Sequence, residues 1–329
     1  MLVTRSAGIG SAPTGSNRGS CAGSKRMRVG PSLSGRCSPP EQTMPKPPPV
    51  ALTGIRDILV GLTEEGRGDE TASALGIGLS LAGMAGAHLT VQSAARRLTV
   101  VGGSGWGFVN DLIAQENRRL SARARAIAER AATDATLEGV SCSIEASGLA
   151  YPELVGRLTA RARLADLTIL DAEAREVDLD RDVIDGVLFG SGRPLLVVPP
   201  GGDTFSARRI VIAWDGSARA ARAANDALPF LRAAEAVEIV SVVGEKDLST
   251  SVAGAEFAPH LARHGVNVSV TNVPVDGDAA ETLRRQAGLL GAEMLVIGAY
   301  RHSRLKEWFL GGVTHALLTR CPVPLFLAH

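Results

Sequence analysis

The stretch GAYRHSRLKEWFLGGVT, Gly298 to Thr314, decides how the chain is read. It follows a short β-branched and apolar run, Met294 to Ile297, breaks on glycine, crosses a polar loop and meets the pair Gly311-Gly312 at the expected start of a helix. This is the layout of an anion-binding turn in a parallel α/β sheet. N–H groups in the first turn of a helix lack intrahelical partners and carry the positive end of its dipole, and glycine lets an anion approach the backbone. A second signal lies upstream. The run RRIVIAW ends in Asp215-Gly216-Ser217, where a carboxylate suits a ribose hydroxyl or a base edge, or caps the following helix.

Outward from these two points, short β-branched runs alternate with Ala-rich helical stretches from Arg56 onward, the pattern of a parallel sheet with crossover helices. The first half predicts strands at 58–62, 88–92, 140–146, 167–170 and 195–198, with helices near 70–85, 109–137, 152–164 and 181–191. The second half predicts strands at 210–214, 237–243, 266–273, 294–297 and 325–327, with helices near 217–233, 252–264, 278–290 and 312–320. The halves repeat one plan. IRDILVGLT (Ile55 to Thr63) parallels ARRIVIAWD (Ala207 to Asp215), ADLTILD (Ala165 to Asp171) parallels AEMLVIG (Ala292 to Gly298), and RPLLVVP (Arg193 to Pro199) parallels CPVPLFL (Cys321 to Leu327). A repeat this long is a duplicated domain, not a solenoid. The expected units are 55–200 and 207–329, joined by the Pro/Gly linker at Pro199 to Asp203.

Each half resembles a universal stress protein domain, and the whole resembles a tandem member of that family. The likeness covers about 57–329. It is stronger in the second half, through WDGS (Trp214 to Ser217), VIGAY (Val296 to Tyr300), GGVT and CPVPLFL. It implies two tandem Rossmann-like α/β domains, each an open five-stranded parallel sheet of order 3-2-1-4-5 flanked by helices. Ligands of such sheets bind where the order changes, between strands 1 and 4, and Asp215 and Gly298 both fall there. Nucleotide-binding members carry Gly, two residues, Gly, nine residues, Gly, then Ser or Thr. Here the spacing holds as Gly298, Arg301, Gly311 and Gly312, with two of four positions changed. Arg301 either obstructs the phosphates or lays its guanidinium against them. Gly312 lacks the hydroxyl, a loss of about 1 kcal/mol for one neutral hydrogen bond.

The resemblance thus implies a regulatory site for ATP or another adenine nucleotide, with Mg2+ as its companion. Asp215 would meet the ribose or base, and Gly298 would allow close approach. Gly311, Gly312, Val313 and Thr314 would supply donors, with Arg301 and His302 modulating. In the first half Thr63 stands where Asp215 stands, and Asp171 where Gly298 stands, so no triphosphate is expected there. The rival reading is a scaffold without nucleotide, acting through dimer surfaces. Its tandem halves would pair through Leu195–Val198 and Leu325–Leu327 as an internal pseudo-dimer, with a homodimer and an unidentified protein partner as further modes. A weak ATPase is the third alternative.

Bulk properties narrow the field. A formal net charge of +1 argues against a dedicated nucleic-acid binder. No apolar run approaches a membrane span and no secretory core is visible, which predicts a cytoplasmic setting. Cys21, Cys37, Cys142 and Cys321 form no CxxC pair. Residues 1–50 are rich in Gly, Ser, Pro and Arg, with no acid before Glu41. Three readings fit them: a disordered tail, a targeting leader, or translation starting at Met44. No nucleophile elbow or Cys/His pair appears, so a non-enzyme is expected. Asp178, Asp180 and Asp182 lack the turn glycine and closing acid of a calcium loop and read as a solvated loop. His260 and His264, and the arginines of 118–130, read as solvated helix faces.

Overall fold

The computed structural model describes residues 52–63, 73–99, 107–172, 179–244, 252–299, 312–320 and 323–329. The tail 1–50, Arg301, His302, Gly311, Asp178 and the remaining cysteines apart from Cys142 lie outside the described residues. The first half contains β1 (Asp57–Thr63), α1 (Ser73–Ala85), β2 (His88–Arg96), α2 (Gly107–Leu137), β3 (Cys142–Leu149), α3 (Tyr151–Ala162), β4 (Leu167–Asp171), α4 (Leu179–Gly190) and β5 (Leu195–Val198). The second contains β6 (Arg209–Ala213), α5 (Ala218–Asp226), α6 (Leu228–Ala233), β7 (Ala236–Val243), α7 (Gly254–Arg263), β8 (Val268–Pro274), α8 (Ala279–Leu289), β9 (Met294–Gly298), α9 (Gly312–Thr319) and β10 (Leu325–Ala328).

All ten strands form one sheet of order β3-β2-β1-β4-β5-β10-β9-β6-β7-β8. Within each half the pairs are parallel and the order is the expected 3-2-1-4-5. The halves meet at the one antiparallel pair among the described residues, with Leu325 opposite Val197, Phe326 opposite Leu196 and Leu327 opposite Leu195. The two expected open sheets are therefore fused through their fifth strands. Every residue of β5 is fully buried, as are Leu325, Phe326 and Leu327. Left unpaired, either strand would be a bare apolar edge. Because β5 and β10 run in opposite directions, the carboxyl ends of the two halves' strands lie at opposite rims.

Each face of the sheet carries an apolar layer that crosses the junction. α1, α2, α5, α6 and α7 cover one face and α3, α4, α8 and α9 the other. Phe205 from the linker, Phe230 of α6 and Phe326 of β10 form an aromatic row, with ring centroids 5.5 and 5.7 Å apart. The linker is fastened along α1. Gly201 N–H donates to Ser73 Oγ at 2.9 Å and Phe205 N–H to Ser80 Oγ at 3.1 Å. A Cβ on Gly76, between those serines, would sit 2.8 Å from the Asp203 backbone.

Some expected elements change. The helix expected over 217–233 splits in two, because Pro229 has no N–H to continue the ladder. Asp180 and Asp182 belong to helix α4, not to a loop; acids suit a helix's first turn. Arg118, Arg119, Arg125 and Arg130 are exposed on α2. Cys142 is a free thiol, and burial pushes its pKa up, away from thiolate reactivity. Among the described residues, no helix is long and apolar enough to cross a membrane.

One device recurs at the amino-terminal ends of the central strands. Asp166 Oδ2 accepts from Arg56 N–H and Asp57 N–H at 2.8 and 3.2 Å. At the matching place Glu293 accepts from Arg208 N–H at 2.6 Å, Ser206 Oγ–H at 3.0 Å and the Arg208 guanidinium at 3.0 Å. Partial burial alone would raise the Glu293 carboxyl. The Arg208 N–H and guanidinium and the Ser206 hydroxyl outweigh it and hold the group below its ordinary value. A depressed carboxyl stabilises the fold above its unfolded-state pKa, and that contribution disappears as pH falls through the folded value. Glu293→Gln is therefore expected to be less stable than the parent at pH 7, with the gap closing towards pH 3. Thermal midpoints across that range measure it, and a gap independent of pH would refute the charge-based account.

Candidate functional site

At the carboxyl end of β6 the chain turns sharply, and each residue of Asp215-Gly216-Ser217 has a part in the turn. Asp215 Oδ1 accepts from Ser217 N–H at 3.1 Å. Gly216 takes φ +70°, the left-handed conformation that glycine adopts without a Cβ penalty. Ser217 is the cap of α5, its Oγ accepting from Ala220 N–H at 3.2 Å. The cap is thus Ser217, while Asp215 organises the residues before it. The Asp215 side chain is exposed, and its other oxygen has no partner among the described residues.

Trp214 forms the buried wall behind this turn. Its Nε1–H donates to Val252 O at 2.8 Å, and its ring stacks on Phe257 at 4.2 Å. His260 stacks next on Phe257 and bonds Asn225 Oδ1 through Nε2 at 3.0 Å, while His264 Nδ1 meets the Arg232 guanidinium at 3.2 Å. The two histidines are half-buried and tie α7 to α5 and α6.

Gly298 closes β9, which pairs with β6. A Cβ there would lie 2.5 Å from both Ala220 N and the Arg219 carbonyl carbon. The glycine therefore lets the first turn of α5 rest on the strand end, and that side of Gly298 is filled by protein. Gly312 opens α9 on the exposed surface, where an added Cβ would meet nothing within 4 Å among the described residues, and Val313 is half-buried. Thr314 is 3% exposed and packs into the core side of α9. The structure brings Asp215 and Gly298 to neighbouring strand ends, and the β9–α9–β10 crossover brings the start of α9 to the same rim. Among the described residues no three His, Cys, Asp or Glu side chains gather as metal ligands.

The first half solves the same packing problem differently. Asp171, at the position of Gly298, keeps a side chain, and its Oδ1 accepts from Ala74 N–H at the start of α1 at 2.9 Å. The helix terminus is neutralised by a carboxylate of the chain itself, which leaves an incoming phosphate facing a negative charge. Sequence reasoning marked Asp171 as unfavourable to phosphate but missed its capping role. It also missed the paired acids Asp166 and Glu293. Both stand second in the repeated segments ADLTILD and AEMLVIG, the signal that exposes them.

The model of the Universal stress protein family matches residues 206–329. No curated protein matches the chain. Among solved structures, a universal stress protein from Archaeoglobus fulgidus DSM 4304 is 15% identical, the match covering 82% of this chain and 97% of that one, with TM-score 0.58. A candidate universal stress protein from Pseudomonas aeruginosa UCBPP-PA14 is 18% identical over 85% and 95%, with TM-score 0.53. A functionally unknown protein from Pseudomonas aeruginosa PAO1 is 17% identical over 84% and 94%, with TM-score 0.51. At these identities the likeness is one of fold, and it extends across both halves.

If Gly298 serves helix packing, Gly298→Ala lowers the thermal midpoint of the protein with no nucleotide present. An unchanged midpoint would return the glycine to a ligand-only role.

Proposed function

We propose, from the match of residues 206–329 to the universal stress protein family model, that this chain is a cytoplasmic, non-enzymatic stress-response regulator. Its second half binds an adenine nucleotide, ATP with Mg2+ among them. The observation that supports this most is Asp215, an exposed carboxylate at the switch point with one oxygen held by Ser217 N–H and the other without a partner among the described residues. A fixed acceptor of this kind suits a ribose hydroxyl or an adenine amino group. The N–H groups at Gly311, Gly312 and Val313 face the phosphates in this reading, with Arg301 and His302 completing the set; the Thr314 hydroxyl is turned to the core and takes no part. Nucleotide contact then alters the surface that the 299–311 segment offers to a protein partner.

The packing of Gly298 favours a second reading, since the glycine has a purpose without any ligand. In that reading the chain is an interaction scaffold whose internal pseudo-dimer is the β5–β10 junction. Calorimetric titration of ATP–Mg2+ into the full chain separates the two. The nucleotide reading expects binding that weakens about tenfold or more in Asp215→Ala, the loss of a charged hydrogen bond. Arg301→Gly weakens it further if the guanidinium touches phosphate, and strengthens it if the side chain obstructs. No binding by the parent or by Arg301→Gly would leave the scaffold.

A further inference from the structure

The two halves differ in the layer beneath their third crossover helix. On β2, Gln92 is 1% exposed, and neither its Oε1 nor its Nε2 has a hydrogen-bond partner. The same holds for Ser147 Oγ on the neighbouring strand β3. Both amide atoms are unpaired, so the amide's orientation does not alter the observation. At the matching positions of the second half the residues are apolar. Gln92 pairs in register with Gly61 and Glu145, whereas Val240 pairs with Ala213 and Thr271; Ser147 corresponds to Val273.

α3 reaches both flanks of Gln92. Leu158 packs where a Cβ on Gly61 would fall. Arg157 pairs with Glu145 at 3.3 Å, and Arg161 pairs with the same carboxylate. These arginines are partly exposed and hold α3 over the strip. A buried amide without partners is costly, and chains retain such groups when something outside the chain satisfies them. α8, the counterpart of α3, covers no such group among the described residues.

We propose that the first half holds a polar ligand site beneath α3, formed by Gln92 and Ser147 beside Glu145. Its occupant presents a hydrogen-bond donor and acceptor side by side. Ordered water meets that requirement, and so does a small uncharged carboxamide that displaces it. An amide edge reads such a pair as two parallel hydrogen bonds, and the Glu145 carboxylate in register beside Gln92 disfavours an anion. The site is independent of the nucleotide reading, which concerns the other half and the opposite rim.

The test uses the full chain, with amide hydrogen exchange of α3 and solvent cross-relaxation at the Gln92 side-chain amide. In the parent, long-lived water contacts at the Gln92 amide identify water as the occupant. Their loss on adding millimolar nicotinamide, with slower exchange in α3, identifies a carboxamide. Gln92→Val and Ser147→Val, which install the second half's residues, are expected to raise the thermal midpoint and abolish any nicotinamide effect. A dry Gln92 amide in the parent that nicotinamide leaves unchanged would overturn the proposal, whether or not the variants fold.

Discussion

Three residue pairs between β5 and β10 fasten the halves of this molecule into one sheet, and they do so with strands that neither half can leave bare. Each strand has four residues, and nearly all are fully buried. Edge strands normally carry charge, proline or a bulge to discourage pairing. Leu195–Val198 carries none of these, and neither does Leu325–Ala328. The antiparallel junction satisfies their backbone groups and continues both apolar layers from one half into the other. The linker then has little slack. Its backbone is hydrogen-bonded to two serines of α1, and Phe205 enters the same aromatic row as Phe326. The second half's candidate site is thereby built on a frame that includes the first half.

The same junction sends the two switch points to opposite rims, where they have diverged. In the second half a serine caps the helix, a glycine admits it against the strand, and an aspartate remains exposed. In the first half an aspartate at the strand end is itself the cap. One packing constraint, a helix terminus against the end of the fourth strand, has thus been met with a side chain in one copy and without one in the other. The charge left at the two rims differs accordingly. The first half also buries polar atoms where the second buries valine, so its divergence extends to the layer under α3.

The central strands were legible because the repeated segments ADLTILD and AEMLVIG, and the closing RPLLVVP and CPVPLFL, mark them by composition alone; their order in the sheet came from the resemblance to universal stress proteins. Strand ends were less so. β2 runs on to Arg96 and β3 to Leu149 through Ser, Ala and Gly, residues without strand preference that pairing holds in place. Pro229 was visible, yet the Ala-rich sequence around it reads as one helix. The motif Asp215-Gly216-Ser217 was recognised, but local sequence does not say which of two polar residues is the cap. Gly298 was the hardest case, since close approach of a helix and close approach of a phosphate both ask for glycine. The partner of Asp171 lies 97 residues away in the chain. Gln92 has no sequence signature, because a polar residue in a strand ordinarily faces solvent.

Native-state hydrogen exchange of the full chain tests the central claim, that the β5–β10 junction makes both halves one folding unit. The account predicts that the amides of Leu196 and Phe326 exchange only through global unfolding, with the same free energy as the core amides of β1 and β6. Exchange at the junction that is faster than in either half, or separate free energies for β1 and β6, would show two domains merely resting against each other.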